Sequence, residues 1–149
     1  MVPQRIERAI LIDAPVEVVW SVVTEPEHIS RWFSDSIELE LRPGGAARLH
    51  WERYGTVDGR VERVEPPHFF SFRWAVQPGG ELGEDTSTLV EFSLSAEGDA
   101  TRLTVAESGF RDLAGPDADK QERYDDHADG WGRELGELAD YVAARERKS

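Results

Sequence analysis

The sequence predicts an α+β domain in which a curved antiparallel sheet wraps one long C-terminal helix. Three observations predict it. Apolar residues repeat with a period near two from Ser36 to Glu107, and with a helical period of three or four from Pro116 to Ser149. The predicted strands are joined mostly by tight turns, which makes a meander of antiparallel neighbours. Each strand is apolar on one face only, so one face of the sheet must be covered, and only the last helix is long enough to cover it.

Taken in order, Arg5 to Asp13 is the first strand, with Ile6, Ile10 and Ile12 on one face together with Arg8. Ala14-Pro15 opens a helix, with proline near the first helical position and Glu17 in the first turn. Val16, Val19, Trp20 and Val23 form its apolar stripe, and Glu25-Pro26 ends it. A second short helix, Glu27 to Trp32, offers Ile29, Trp32 and Phe33 as anchors. Two helices this short and this close read as a pair plugging one end of the sheet.

From Ser36 the strands follow. Ile37, Leu39 and Leu41 alternate with charged residues, and Pro43-Gly44-Gly45 turns. Ala47, Leu49 and Trp51 alternate next, and Tyr54-Gly55 turns into a strand from about Thr56 to Val64. Within it Gly59 marks a bulge or a close approach of backbone. Beyond Pro66-Pro67, Phe70, Phe72, Trp74 and Val76 make the most aromatic face of the chain. Gln77 to Asp85 is a glycine-rich acidic loop. Thr88, Val90, Phe92 and Leu94 face inward, Glu97-Gly98-Asp99 is a hairpin turn, and Leu103, Val105 and Glu107 end the sheet. Phe110 to Pro116 crosses over to the long helix.

That helix, Pro116 to Ser149, stacks Tyr124, His127, Trp131, Leu135, Leu138, Tyr141 and Val142 on one face. Asp117 and Asp119 come early and Arg145, Arg147 and Lys148 late, as the helix dipole favours. Gly130, Gly132 and Gly136 interrupt it, each at a cost of about 1 kcal/mol against alanine. They point to something approaching closely, either sheet backbone or a bound molecule.

Residues 1–149 fit one domain by length. The formal charge of −13 argues against nucleic acid and against anionic lipid surfaces, but leaves a neutral or apolar small ligand open. No apolar run approaches a membrane span, and no signal peptide is visible, so a cytoplasmic protein without membrane insertion is expected. With no cysteine there is no disulfide, thiolate metal site or cysteine nucleophile.

The motifs resemble a known family. Asp13-Ala14-Pro15 with Val18 and Trp20, Thr24 to Phe33, Arg42-Pro43-Gly44-Gly45, Gly59 to Val64 before Pro66-Pro67, and Phe72-Arg73-Trp74 carry the likeness. So do Thr101 to Val105, Glu107-Ser108-Gly109-Phe110 and His127 to Trp131. In this order the chain resembles the family named after the activator of the heat-shock-protein-90 ATPase, in the START-like, helix-grip (SRPBCC, Bet v 1-like) superfamily. The resemblance implies a seven-stranded antiparallel sheet with a cavity under the long helix. It implies no single function, since superfamily members carry lipids, bind small apolar ligands, cyclise polyketides or contact proteins.

The candidate site is that cavity. Trp51, Phe70, Phe72, Trp74, Val90 and Phe92 share its side of the sheet with Leu103 and Val105, and Trp131 and Leu135 face it from the helix. Glu107 and His127 are the polar groups in phase with them. They could orient a ligand or serve as acid and base. Alternatively Glu107 lies in water at the strand end and His127 bonds a carbonyl of the crossover. Arg8 could pair with Glu107 or extend to solvent. His28, His50, His68 and His127 are scattered, so no metal site is expected, and no cofactor. The leading expectation is a non-catalytic binder of a hydrophobic small molecule. The alternatives are a polyketide cyclase or aromatase using Glu107 and His127, or a protein-interaction module, with a homodimer or protein partner meeting the loop Gly79 to Asp85.

Overall fold

The period-two segments and the helical segments fold as their patterns require. The computed structural model describes residues 2–148, with side chains to residue 145. In chain order the elements are β1 (Arg5–Ile12), α1 (Val16–Thr24), α2 (Pro26–Trp32), β2 (Ser36–Leu39), β3 (Ala46–Trp51) and β4 (Gly55–Glu65). They continue with β5 (Phe69–Ala75), β6 (Ser87–Glu97), β7 (Ala100–Ser108), a single 3-10 turn (Phe110–Asp112) and α3 (Asp117–Lys148).

The seven strands form one antiparallel sheet in the order β1-β7-β6-β5-β4-β3-β2. From β2 onward each strand pairs with the next in sequence, as short turns dictate. β1 instead pairs with β7, the last strand. The α1–α2 pair therefore carries the chain from one sheet edge to the other. Val19, Val22 and Val23 of α1 and Ile29 and Trp32 of α2 are buried, so the pair caps one end of the sheet. Trp32 donates its indole N–H to the Val22 carbonyl at 2.9 Å, which joins the two helices. His28 Nδ1 lies 2.7 Å from the Tyr141 hydroxyl and ties α2 to α3. Leu135, Leu138 and Val142 complete the core from the helix side. This is the helix-grip arrangement.

Several local expectations need correction. β2 ends at Leu39, and Leu41 is an exposed turn residue rather than an inward one. The irregular register of β4 lies between Val61 and Arg63, not at Gly59. Gly59 is instead the close approach, since a Cβ there would sit 2.8 Å from the Arg73 carbonyl oxygen and 2.9 Å from that of Ala47. Arg8 turns outward and donates to the Glu7 carbonyl at 2.9 Å, so it does not pair with Glu107. At the end of α3, Arg145 lies over the Tyr141 ring, 5.6 Å from its centroid. The Arg147 and Lys148 side chains, and Ser149, lie outside the described residues.

The helix glycines are the largest correction. A Cβ added at Gly132 or Gly136 would meet nothing within 4 Å. Both positions are exposed, on the stripe of Asp125 and Asp129, so no sheet backbone approaches them. Nothing in the structure requires glycine at either. Gly132→Ala and Gly136→Ala are each expected to stabilise the fold by about 1 kcal/mol. Thermal unfolding checks this, with a rise of roughly 2–4 °C per substitution for a domain of this size.

Candidate functional site

Where sheet and helix meet, the chain buries one charge. Glu107 follows Leu103 and Val105 on the inward face of β7 and is 0% exposed. Its carboxyl group collects donors from three elements. From β5, Trp74 donates its indole N–H to Oε2 at 3.0 Å. From β6, the Thr88 hydroxyl donates to Oε2 at 2.5 Å. From α3, Trp131 donates its indole N–H to Oε1 at 2.8 Å, and His127 Nδ1 lies 2.9 Å from Oε1 and 2.8 Å from Oε2. Burial by itself pushes the Glu107 carboxyl up. The adjacent His127 and the bonds from His127, Thr88 and Trp74 outweigh it and hold the group below its ordinary value. An ionised carboxylate only accepts, so His127 carries a proton on Nδ1. Its Nε2 has no partner among the described residues.

Beside this cluster lies a recess of about 380 Å³. Aromatic side chains form much of its wall: Phe33 at the end of α2, Trp51 of β3, Tyr54, Trp74 of β5 and Trp131 of α3. Phe33, Trp74 and Trp131 lie nearly parallel, with interplanar angles of 23°, 17° and 26° for the three pairs. Trp51 meets Phe33 edge-on at 5.5 Å between centroids and donates to its carbonyl at 2.9 Å. The helix contributes a polar stripe. Arg123, His127, Gly130 and Glu134 follow one another at steps of four, three and four, and all line the recess. Gly130 leaves a gap in the middle. A Cβ there would meet only Arg133 Nη2, at 3.8 Å.

The ends of the stripe differ. Arg123 Nη1 donates to the Val76 carbonyl at 2.5 Å, and beyond that contact lies a second, more polar cleft of about 230 Å³. It sits between the glycine-rich loop and the start of α3, where the Ala114 N–H bonds the Asp85 carbonyl at 2.8 Å. At the other end Glu134 is 17% exposed, and its Oε2 is buried without a hydrogen-bond partner. Burial first, and then the neighbouring Glu137 carboxyl, push Glu134 up to about 7; Arg133 opposes this from 3.8 Å.

Of the residues expected around the cavity, Trp51, Trp74, His127 and Trp131 line the recess. Glu107 stands one layer behind them, neither in water nor paired with Arg8. His127 bonds that carboxylate rather than a crossover carbonyl. Phe70, Phe72 and Phe92 do not line the recess. They surround a void of about 20 Å³, closed by Val23, Ile29 and Trp32 of the helical pair. Val90, Leu103, Val105 and Leu135 are filled core. The inward face is thus divided, because α1 and α2 pack over one part of it and the N-terminal half of α3 stands off the other. Sequence reasoning missed Phe33, Tyr54, Arg123 and Glu134 as lining residues. The stripe spacing from Arg123 to Glu134 was the available signal. Among the described residues no group of three or more acidic or histidine side chains is gathered to hold a metal, and no helix is long and apolar enough to cross a membrane.

The family described as Activator of Hsp90 ATPase homolog 1-like protein matches residues 13–143. No curated protein matches the chain in sequence. Among solved structures the chain is similar to DynU16, a protein of the dynemicin biosynthetic locus, with a TM-score of 0.74 and 26% identity over 95% of this chain. The chain spans only 48% of DynU16. CalU16 from Micromonospora echinospora gives a TM-score of 0.71 and 26% identity over 97% of this chain and 79% of that one. The Aha1 dimer from Colwellia psychrerythraea gives 0.76 and 20% identity over 95% of this chain and 96% of that one, a likeness of fold.

Two expectations follow. Glu107→Gln places an amide N–H₂ among donors and is expected to cost roughly 3–5 kcal/mol, measured by urea unfolding at neutral pH. The stability Glu107 contributes is present above the ordinary carboxylate range and is lost as pH falls through its lowered folded value. Glu134 has the opposite sign, because its folded value, about 7, is raised. Its contribution is present below the ordinary carboxylate range and is lost as pH rises through about 7. Thermal midpoints from about pH 5 to about pH 8 should fall less steeply in Glu134→Gln than in the native protein.

Proposed function

The chain belongs to the Activator of Hsp90 ATPase homolog 1-like protein family, and from that premise we propose that it is a binding protein for a small apolar or amphipathic molecule held between the sheet and the first half of α3. The observation that carries this reading is the recess of about 380 Å³, walled by five aromatic side chains and given charged and polar groups by α3: Arg123, Asp126, His127, Arg133 and Glu134. Its volume falls in the range of small-molecule sites, which pair an apolar wall with a few placed polar groups. The wall is preformed. Trp51, Trp74 and Trp131 each have their indole N–H bonded within the protein, so their ring faces are held in place before a ligand arrives. The origin of DynU16 in a biosynthetic locus supports a ligand from biosynthetic chemistry. The reading has the protein acting in the cytoplasm, without insertion into a membrane.

One observation favours a second reading, an enzyme of the polyketide cyclase or aromatase type. His127 lines the recess, its Nδ1–H is held by ionised Glu107, and Nε2 is left without a protein partner. In that role Nε2 would take a proton from a carbon next to a ligand carbonyl, and Glu107 would stabilise the imidazolium formed. Single-turnover assays of native protein and His127→Gln on a poly-carbonyl substrate test it. Cyclisation at equal rates in both sinks the enzyme reading and leaves the binding one.

For the binding reading, Gly130 is the informative position. Gly130→Leu puts a side chain into the recess while improving helix propensity. The expected outcome is an unchanged or higher melting temperature together with at least a tenfold loss in affinity for an apolar fluorescent dye, about 1.4 kcal/mol. A folded variant that binds the dye as the native protein does would count against the recess as the site.

A further inference from the structure

The α3 wall of the recess carries Arg123 and Asp126 at one end and Arg133 and Glu134 at the other, and how each is partnered bears on what the recess accepts. Arg123 and Glu134 are separated by eleven positions, about 16 Å along a helix axis. Arg123 sits where the apolar recess meets the polar cleft and lines both. Among the described residues it makes no ion pair, and its one hydrogen bond is from Nη1 to the Val76 carbonyl. The remaining guanidinium N–H groups have no protein acceptor. Asp126, three positions further on, lines the recess as well and does not pair with Arg123. Lys120, one turn earlier, lines the same cleft. Lys120 lies in the first turn of α3, where the helix dipole disfavours a cation, so its placement does not serve the helix.

We propose that the recess binds an aromatic or amphipathic acid in a single orientation, its apolar body between Phe33, Trp51, Trp74 and Trp131 and its carboxylate or other anionic oxygen on Arg123. This deepens the binding reading above and rests on it. A planar guanidinium with unused donors is the side chain suited to a two-oxygen anion. At the far end Arg133 already faces Glu134 at 3.8 Å, so Arg123 is the lining cation left free for the acid, and the Glu134 carboxyl can exchange a hydrogen bond with a ligand hydroxyl or amine. Asp85 and Asp119 line the polar cleft as well, so the acid stops at Arg123 and does not run deeper. The protein's charge of −13 makes the inference sharper, because the overall field works against an anion. A preference for one must be local.

The test uses two dyes with one aromatic skeleton, the anion anilinonaphthalene sulfonate and neutral phenylnaphthylamine, the sulfonate standing for the ligand's acid. Native protein should bind the anion about tenfold more tightly, about 1.4 kcal/mol. Arg123→Gln should erase the preference by weakening only the anion, and Arg123→Lys should keep part of it. Gly130→Leu should weaken both dyes, which locates them in the recess. Equal binding of the two dyes by native protein, or equal weakening of both by Arg123→Gln, overturns the anchor and leaves the binding reading standing. Failure of both dyes to bind overturns the binding reading together with the anchor. The comparison of the two dyes on native protein keeps the anchor falsifiable even if the Arg123 variants do not fold.

Discussion

The structure turns on one buried carboxylate. Glu107 draws donors from β5, β6 and α3 onto two oxygens, and no water is needed to complete the set. A lone charge at that depth would cost several kcal/mol in desolvation, so its presence depends on every donor being in place. The dependence runs the other way as well. Two indole N–H groups and an imidazole N–H are buried at the same point, and each needs an acceptor. One carboxylate satisfies all three, and so sets the orientation of Trp74, Trp131 and His127 together.

That orientation makes the site. The two tryptophans present their faces to the recess because their N–H edges are turned inward to Glu107. His127 keeps its proton on Nδ1 for the same reason, leaving Nε2 to the recess. The second half of α3 is held differently, by Leu135, Leu138 and Val142 in the closed core and by the Tyr141–His28 contact. One helix therefore has two kinds of support, apolar packing toward its end and a polar cluster near its start. The recess lies beside the polar cluster, where Gly130 leaves the space unfilled. The α1–α2 pair closes the rest of the inward face, and the void under Phe70, Phe72 and Phe92 has room for about one water.

Much of this was legible in the chain. The meander, the helical pair and the long helix followed from period and punctuation, and the resemblance to the family agreed with them, but the pairing of β1 with β7 was not among the expectations. Glu107 and His127 stood out because each is a polar residue in an apolar phase. Their contact did not, since it depends on how far the helix sits from β7. The glycines show how a true signal can be misassigned. Gly132 and Gly136 continue the rhythm of Asp125 and Asp129, which places them in solvent, whereas Gly130 belongs to the stripe of Arg123, His127 and Glu134. Sorting the three by face rather than by residue type would have separated them. Gly59 was correctly singled out, but whether a strand glycine marks a bulge or a close approach depends on the neighbouring strands.

Local rules thus decided which residues face inward, because side-chain direction depends only on the backbone period of each element. They decided the meander as well, because short turns leave neighbouring strands no other partner. Which inward residues are core and which are wall was decided by the tertiary structure alone. Val90, Phe92, Leu103 and Val105 carry the same pattern as Trp51 and Trp74. What separates them is the cover above: two short helices over one part of the sheet, and over the other a helix held off by bonds to a single carboxylate. Cover and stand-off distance arise from elements far apart in the chain, so no local period records them.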